Sequence, residues 1–220
     1  MKLATWNVNS LKVRLPQVLE FLAAHKPDAL CLQEIKLEDS SFPLMEIKAA
    51  GYEAAFSGQK TYNGIAILAP TSPADVSTGI AGFDDPQKRV IAATFSGVRV
   101  ICVYIPNGEA VESDKYKYKL DWLVKLIHWL KQEMTKYSKL ALLGDYNIAP
   151  EDRDVHDPKA WQGKVLFSEP EKAAFKDLLA LGLTDSFRLF DQPEKSFSWW
   201  DYRMNGFKRN LGLRIDHILL

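Results

Sequence analysis

Polar residues at the end of an apolar run are the first chemical signal in this 220-residue sequence. Leu140-Ala141-Leu142-Leu143 read as a short buried strand, and Gly144, Asp145, Tyr146 and Asn147 follow directly. Gly144 marks a break in the apolar pattern, where the backbone needs freedom that a side chain would deny. Asp145 and Asn147 are two residues apart, so an extended backbone points them to one side. A carboxylate that moves a proton, beside a neutral hydrogen-bond donor, suits a site that stabilises an anion. An Asx turn after a strand is the plain structural alternative.

The same arrangement recurs along the chain. Trp6-Asn7-Val8-Asn9, Leu32-Gln33-Glu34 and Tyr104-Ile105-Pro106-Asn107 also set polar groups at the ends of apolar runs, and Arg214-Ile215-Asp216-His217 sets a carboxylate inside one. Burying a charge without a partner is costly, so these side chains must meet one another or a metal. Glu34 and Asp145, with amides near them, make an oxygen-rich set of the kind that suits Mg²⁺ or Mn²⁺. Zinc is disfavoured. Cys31 and Cys102 lack metal-site spacing, and His25, His128, His156 and His217 are scattered. His25 falls near a helix C-terminus, His128 on a helix surface and His156 in a loop. No P-loop, nucleophile elbow or dinucleotide fingerprint is present.

Length and composition frame this chemistry. A chain of 220 residues that is 47% apolar suits one large domain with a substantial core. The 28 basic and 28 acidic residues balance, so a nucleic acid partner would need a local basic surface. Both cysteines lie in apolar runs, as buried free thiols of a reducing compartment do. The N-terminus is unlike a signal peptide, and no apolar run approaches the roughly 18 residues of a membrane span. A soluble intracellular protein is expected.

The elements that position the polar groups follow from periodicity. Residues 3–6 and 29–32 read as strands. Between them Leu11, Leu15, Val18, Leu19 and Leu22 repeat at helical spacing, with Ser10 as N-cap, Pro16 moving the regular start toward residue 15, and Lys26-Pro27 as the stop. Residues 42–50 form a short helix before Gly51. Strands are expected over 52–56, 64–68, 89–95 and 98–105, with a hairpin turn at Ser96-Gly97. Pro73 and Pro86, with Pro70 just before them, make 71–86 a set of connections around a weak edge strand. The longest helix spans 116–137, with an apolar stripe of Leu120, Leu123, Ile127, Leu130 and Met134. Lys115, Lys117, Lys119, Lys125, Lys131 and Lys136 form a mostly solvated face. Another helix covers 175–181 and ends at Gly182, and 213–220 is the last strand. Two groups of strands with helices between them favour two mixed sheets packed face to face, helices outside.

Seven segments, in order along the chain, carry a resemblance. They are Thr5-Trp6-Asn7-Val8-Asn9-Ser10-Leu11, Leu32-Gln33-Glu34-Ile35-Lys36, Gly58-Gln59-Lys60, Tyr62-Asn63-Gly64-Ile65-Ala66, Gly144-Asp145-Tyr146-Asn147-Ile148-Ala149-Pro150, Ser198-Trp199-Trp200-Asp201-Tyr202-Arg203 and Gly212-Leu213-Arg214-Ile215-Asp216. Together they resemble the exonuclease III family of abasic-site endonucleases, within the wider endonuclease/exonuclease/phosphatase superfamily. The resemblance implies a four-layer α/β sandwich, with two mixed β-sheets face to face and flanked by helices, over residues 1–220 as a single domain. It implies Mg²⁺-dependent cleavage of DNA phosphodiesters, with Mn²⁺ as an alternative ion. Glu34 would be the metal ligand, with Asn7 and Asn9 close to it. Tyr104 and Asn107 would contact the scissile phosphate. Asp145 would activate the water or protonate the leaving oxygen, and Asn147 would hold the phosphate or orient the nucleophile. Trp199, Leu213 and Ile215 would line a small apolar pocket for a flipped-out sugar, and Arg203 would lie against the DNA groove. The implied partner is double-stranded DNA with abasic sites or 3′ ends, bound by a cytoplasmic monomer and no membrane.

One feature of the family is missing. Its members end in a Ser-Asp-His segment on a final strand, whose histidine Asp216 would orient. This chain stops at Leu220 without it, so a truncated chain lacking its C-terminal strand, with severely reduced activity, is expected. His217 is no substitute, because one residue from Asp216 on a strand it faces the other way. A catalytically impaired DNA-binding relative is therefore an alternative, as is a lipid or inositol phosphoesterase of the same superfamily. Intact Glu34, Asp145 and Asn147 weigh against the first, and the segments around Trp199 and Leu213 against the second. Six basic residues (Arg188, Lys195, Arg203, Lys208, Arg209 and Arg214) stand with Trp199, Trp200, Tyr202 and Phe207 against three acids, Asp191, Glu194 and Asp201. That mixture suits contacts with a nucleic acid backbone and with bases.

Overall fold

The computed structural model describes residues 1–220. The chain divides into two compact units, one of Met1–Tyr104 with Gln132–Asp145 and one of Ile105–Lys131 with Tyr146–Leu220.

The first unit holds two mixed sheets. In one, β1 (Leu3–Asn7), β2 (Ala29–Gln33), β4 (Ile65–Ala69) and β3 (Glu53–Ser57) lie in that order, with β1 and β2 parallel and the other pairs antiparallel. The parallel pair needs a crossover, and α1 (Leu11–His25) supplies it. In the second sheet β8 (Leu140–Asp145), β7 (Val98–Tyr104), β6 (Val90–Phe95) and β5 (Ala74–Thr78) lie side by side, β7 and β8 parallel. Every residue of β2 and of β4 is buried, which requires cover on both faces of the first sheet. Leu30, Leu32, Ala66 and Leu68 pack on one side with Val18 and Leu22 of α1 and Ile47 of α2 (Leu44–Ala49). On the other side Gln33 reaches Cys102 of β7, its Nε2 3.2 Å from Sγ. The sheets therefore pack face to face. Arg99 of β7 pairs with Glu133 of α3 (Asp114–Lys136) at 3.0 Å, which brings the last turns of that helix to the outer face of the second sheet. Helix, sheet, sheet and helix form the four-layer α/β sandwich anticipated from the sequence.

The second unit contains the start of α3, α4 (Pro158–Trp161), α5 (Glu169–Ala180), the two-residue strands β9 (Trp199–Trp200) and β10 (Gly212–Leu213), which pair antiparallel, and β11 (Asp216–Leu219).

Several expectations change. First, α1 begins at Leu11 despite Pro16 inside it. Ser10 and Leu11 donate their backbone N–H groups to the carbonyls of Glu34 and Ile35, which anchors the first turn from outside the helix; the Ser10 side chain makes no cap. Second, 213–220 is two strands, not one. The Arg214 N–H goes to Asp154 and the Ile215 carbonyl accepts from Tyr146, so the ladder is interrupted where the chain bonds to loops. Third, Lys119 does not belong to a solvated face. The buried side of α3 is Tyr116, Lys119, Trp122, Leu123, Leu126, Trp129, Leu130 and Glu133.

Gly144 does not break its strand; β8 runs through it to Asp145. A Cβ there would lie 1.9 Å from the Val103 carbonyl oxygen on the neighbouring strand. Glycine is required by close approach rather than by a turn. Gly144→Ala is expected to cost about 3 kcal/mol or more, since backbone must move to admit the methyl group. Urea unfolding of the purified variant measures it, and a midpoint equal to wild type would contradict the crowding.

Candidate active site

Three strand ends of the first unit bring the polar residues together. Asn7 ends β1, Tyr104 ends β7 and Asp145 ends β8, while Glu34 follows β2 directly. Asn7 Nδ2 donates to Glu34 Oε1 at 2.7 Å and to Asp145 Oδ2 at 2.9 Å, so one amide ties the two carboxylates. The Tyr104 hydroxyl donates to Glu34 Oε1 at 2.9 Å. Lys36 Nζ stands 2.9 Å from Glu34 Oε2 and 2.5 Å from Asn9 Oδ1. Asn9 N donates to Asn7 Oδ1 at 3.0 Å. Five of the residues singled out in the sequence (Asn7, Asn9, Glu34, Tyr104 and Asp145) thus form one hydrogen-bonded cluster.

Its electrostatics are set by burial and by donors. Burial opposes ionisation of Glu34, but the Asn7 amide, the Lys36 ammonium and the Tyr104 hydroxyl outweigh it and hold the carboxyl below its usual range. Glu34 is therefore an anion at neutral pH. Burial first, then the charges of Glu34 and Asp145, push the Tyr104 phenol far above its ordinary value. Tyr104 stays protonated and acts as a donor. Arg89, whose guanidinium lies 4.6 Å over the Tyr104 ring and donates to the Tyr104 carbonyl at 3.1 Å, fixes that side chain.

The donor set fits a hydrated hard cation. No group of three His, Cys, Asp or Glu side chains converges in the chain. One ionised carboxylate with amide oxygens suits a hard divalent cation that keeps several of its waters. The Lys36 ammonium between Glu34 and Asn9 shows that these oxygens already attract a positive charge.

In the second unit, Asn107 Nδ2 donates to Asn147 Oδ1 at 3.0 Å, and Asn147 Nδ2 to the Ile105 carbonyl at 3.0 Å. Asn147 has φ 50°, a left-handed conformation. The extended alternation that predicts a shared face with Asp145 does not continue to it. Leu213 and Ile215 are 0% and 2% exposed, sealed in a cluster with Ala149, Val155 and Phe167. Trp199 pairs with Leu213 across β9 and β10 and is partly exposed. Arg203 is closed in a fork on Asp201, with Nε 3.0 Å from both carboxylate oxygens. Around it Tyr202 and Phe207 are 92% and 72% exposed. Asp216 opens β11, its N–H donating to Ser198 Oγ at 3.1 Å.

The whole chain finds relatives. Residues 4–220 match the Endonuclease/Exonuclease/phosphatase family. The chain belongs to this family. It is thus a phosphate-ester hydrolase, of a family that works with a metal ion. All of the chain aligns with 87% of an exodeoxyribonuclease III of Haemophilus influenzae at 36% identity. A 3′ phosphatase from Neisseria, solved with a product DNA hairpin, is similar at TM-score 0.98 and 53% identity, over 100% of this chain and 86% of that one. An AP endonuclease from Archaeoglobus fulgidus is similar at TM-score 0.95 and 40% identity, over 100% of this chain and 86% of its own. No helix is long and apolar enough to cross a membrane.

His217, scattered in the sequence, lies fully buried in the second unit. Its Nε2 is 2.8 Å from the Ile148 carbonyl and its Nδ1 3.0 Å from Arg214 NH1. Arg214 in turn is held by Asp154 and Asp185. Nδ1 accepts from the guanidinium, so the proton sits on Nε2 and the ring is neutral. Burial, then the charge of Arg214, hold its pKa well below the ordinary value of about 6.5. The unfolded chain takes up a proton that the native state refuses. Stability is fully present above about pH 6.5 and falls by up to about 1.4 kcal/mol per unit as pH drops beneath it. Unfolding midpoints between pH 7 and 5, compared with those of His217→Gln, measure this contribution. Identical pH slopes for the two proteins would contradict it.

Proposed function

We propose that the protein is a Mg²⁺-dependent DNA repair nuclease, working as a cytoplasmic monomer on duplex DNA at abasic sites and 3′ ends. The observation that carries the reading is the cluster in which Asn7 joins Glu34 to Asp145. The names of its relatives, an exodeoxyribonuclease and an AP endonuclease among them, support DNA as the substrate. Two free buried thiols, Cys31 and Cys102, fit a reducing cytoplasm.

Glu34, with Asn7 and Asn9 beside it, would hold the cation, Mg²⁺ or Mn²⁺. A cation held there would supply polarisation of a phosphoryl oxygen and offset the charge that builds during displacement. Asp145 takes the proton of the attacking water or gives one to the leaving oxygen, and Asn7 keeps its carboxylate aimed. The Tyr104 hydroxyl has one proton, now given to Glu34, to redirect to a phosphate oxygen. Asn107 and Asn147 supply neutral amide donors to the phosphate. The exposed Tyr202, Phe207 and neighbouring cations meet the DNA backbone and groove.

One observation favours 3′-end processing as a second reading of the same site: Leu213 and Ile215, proposed to line the pocket for an abasic sugar, are closed off. The test uses two duplexes, one with an internal abasic analogue and one with a 3′-phosphate. Each is incubated in Mg²⁺ or EDTA with the 220-residue chain and with a form extended by the family's Ser-Asp-His segment. Cleavage in Mg²⁺ alone is expected, and the preferred duplex decides between the two readings. DNA binding without cleavage by either form would instead favour the inert relative.

A further inference from the structure

We propose, on the reading of Asn107 and Asn147 given above, that Lys119 is a positioning residue that holds these two residues for the phosphate. Lys119 is fully buried in α3, as is its partner Glu171 in α5. An ammonium has three donors, and each finds an oxygen. One goes to the Asn147 carbonyl at 2.6 Å, one to the Asn107 carbonyl at 3.1 Å, and one to Glu171 Oε1. The two carbonyls belong to the two residues whose side-chain amides are already joined to each other. Glu171 is itself fixed, accepting from Leu166 N, Ser168 N and Ser168 Oγ at 3.0, 3.0 and 2.5 Å at the start of α5.

Stability alone does not call for a buried ion pair here. Buried ion pairs are often replaced by neutral groups of similar volume without loss. What a neutral side chain does not supply is the pair of donors to Asn107 and Asn147. Asn147 adopts a left-handed backbone, which asparagine tolerates better than most residues, so the conformation alone does not fix where its carbonyl and amide point. Without Lys119 its carbonyl is a buried acceptor with no ammonium, and the loop is free to turn its amide elsewhere. Small displacements of groups that align a phosphate cost rate rather than fold.

The deciding variant is Lys119→Met with Glu171→Gln. Gln keeps an acceptor for Ser168 while the charges go together. The double variant is expected to unfold cooperatively like wild type, yet lose on the order of 10–100-fold in kcat per folded molecule. The side-chain amide NMR signals of Asn107 and Asn147 should shift or broaden in the DNA-free 220-residue chain. A folded double variant with wild-type kcat and unmoved amide signals overturns the proposal, since a merely structural pair would alter stability alone. Should the double variant not fold, Lys119→Arg decides on the same two readouts. It keeps the charge but spreads it over a planar fork, so reduced kcat and moved amides are expected; no change in either overturns the proposal. Asn107→Ala and Asn147→Gly, the latter keeping the left-handed backbone accessible, run alongside. If they leave kcat unchanged, the amides do not serve the phosphate, and the proposal falls with that reading. If they lower kcat while the Lys119 variants do not, only the positioning role falls.

Discussion

Asp145→Asn is expected to lower the single-turnover cleavage rate about 10²–10⁴-fold, the usual contribution of a placed general acid or base. The substitution is nearly isosteric, and its Oδ1 can still accept the Asn7 amide that now reaches Asp145 at 2.9 Å. Fold and cluster geometry are therefore retained while proton transfer is lost. DNA affinity should hold or tighten, because a negative charge leaves the neighbourhood of the phosphates. Single-turnover incision paired with fluorescence anisotropy separates the two effects. An unchanged rate would remove Asp145 from proton transfer, and a rate lost together with affinity would make it a binding residue.

The cluster around Asp145 was legible because each member ends an apolar run. The all-buried β2 and the buried β8 are visible as apolar runs in the sequence, and so the polar residues after them stand out. The turn at Ser96 and Gly97 was legible for the same local reason: both have positive φ, 51° and 78°, as a two-residue hairpin demands. Lys119 was not legible. It lies among lysines at 115, 117, 125, 131 and 136 that do point outward or nearly so, and its partner Glu171 is 52 positions away. Charges within an apolar stripe blur helical periodicity, and Glu133 blurs the same helix at its other end. Their one sequence trace is spacing: Lys119 follows Tyr116 by three and precedes Leu123 by four, which places a charge among core residues. A charge so placed calls for a distant opposite charge. The interruption at Arg214 and Ile215 was hidden likewise, since the groups that take up their backbone bonds, Asp154 and Tyr146, lie in separate segments. Lys36 was visible within a motif, yet only the fold shows it spanning Glu34 and Asn9.

Glu34→Gln should separate metal binding from the rest of the site. The Gln oxygen can still accept from Asn7 and Tyr104, which now reach Glu34 at 2.7 and 2.9 Å. What disappears is the anion, which burial opposes and which Asn7, Lys36 and Tyr104 together sustain. Without it the Lys36 ammonium loses its counter-ion and the site loses its one assured negative ligand. Affinity for Mn²⁺, read by paramagnetic resonance of the free ion, is expected to fall at least about 10–100-fold, the loss that even indirect disturbance of a metal site produces. Cleavage should fall with it and recover in part at high Mg²⁺, whereas Asp145→Asn should show no such recovery. That contrast assigns the two carboxylates to different tasks, although a single amide of Asn7 holds both. Undiminished Mn²⁺ binding by Glu34→Gln would move the cation away from this cluster, and the division of labour between the two acids would go with it.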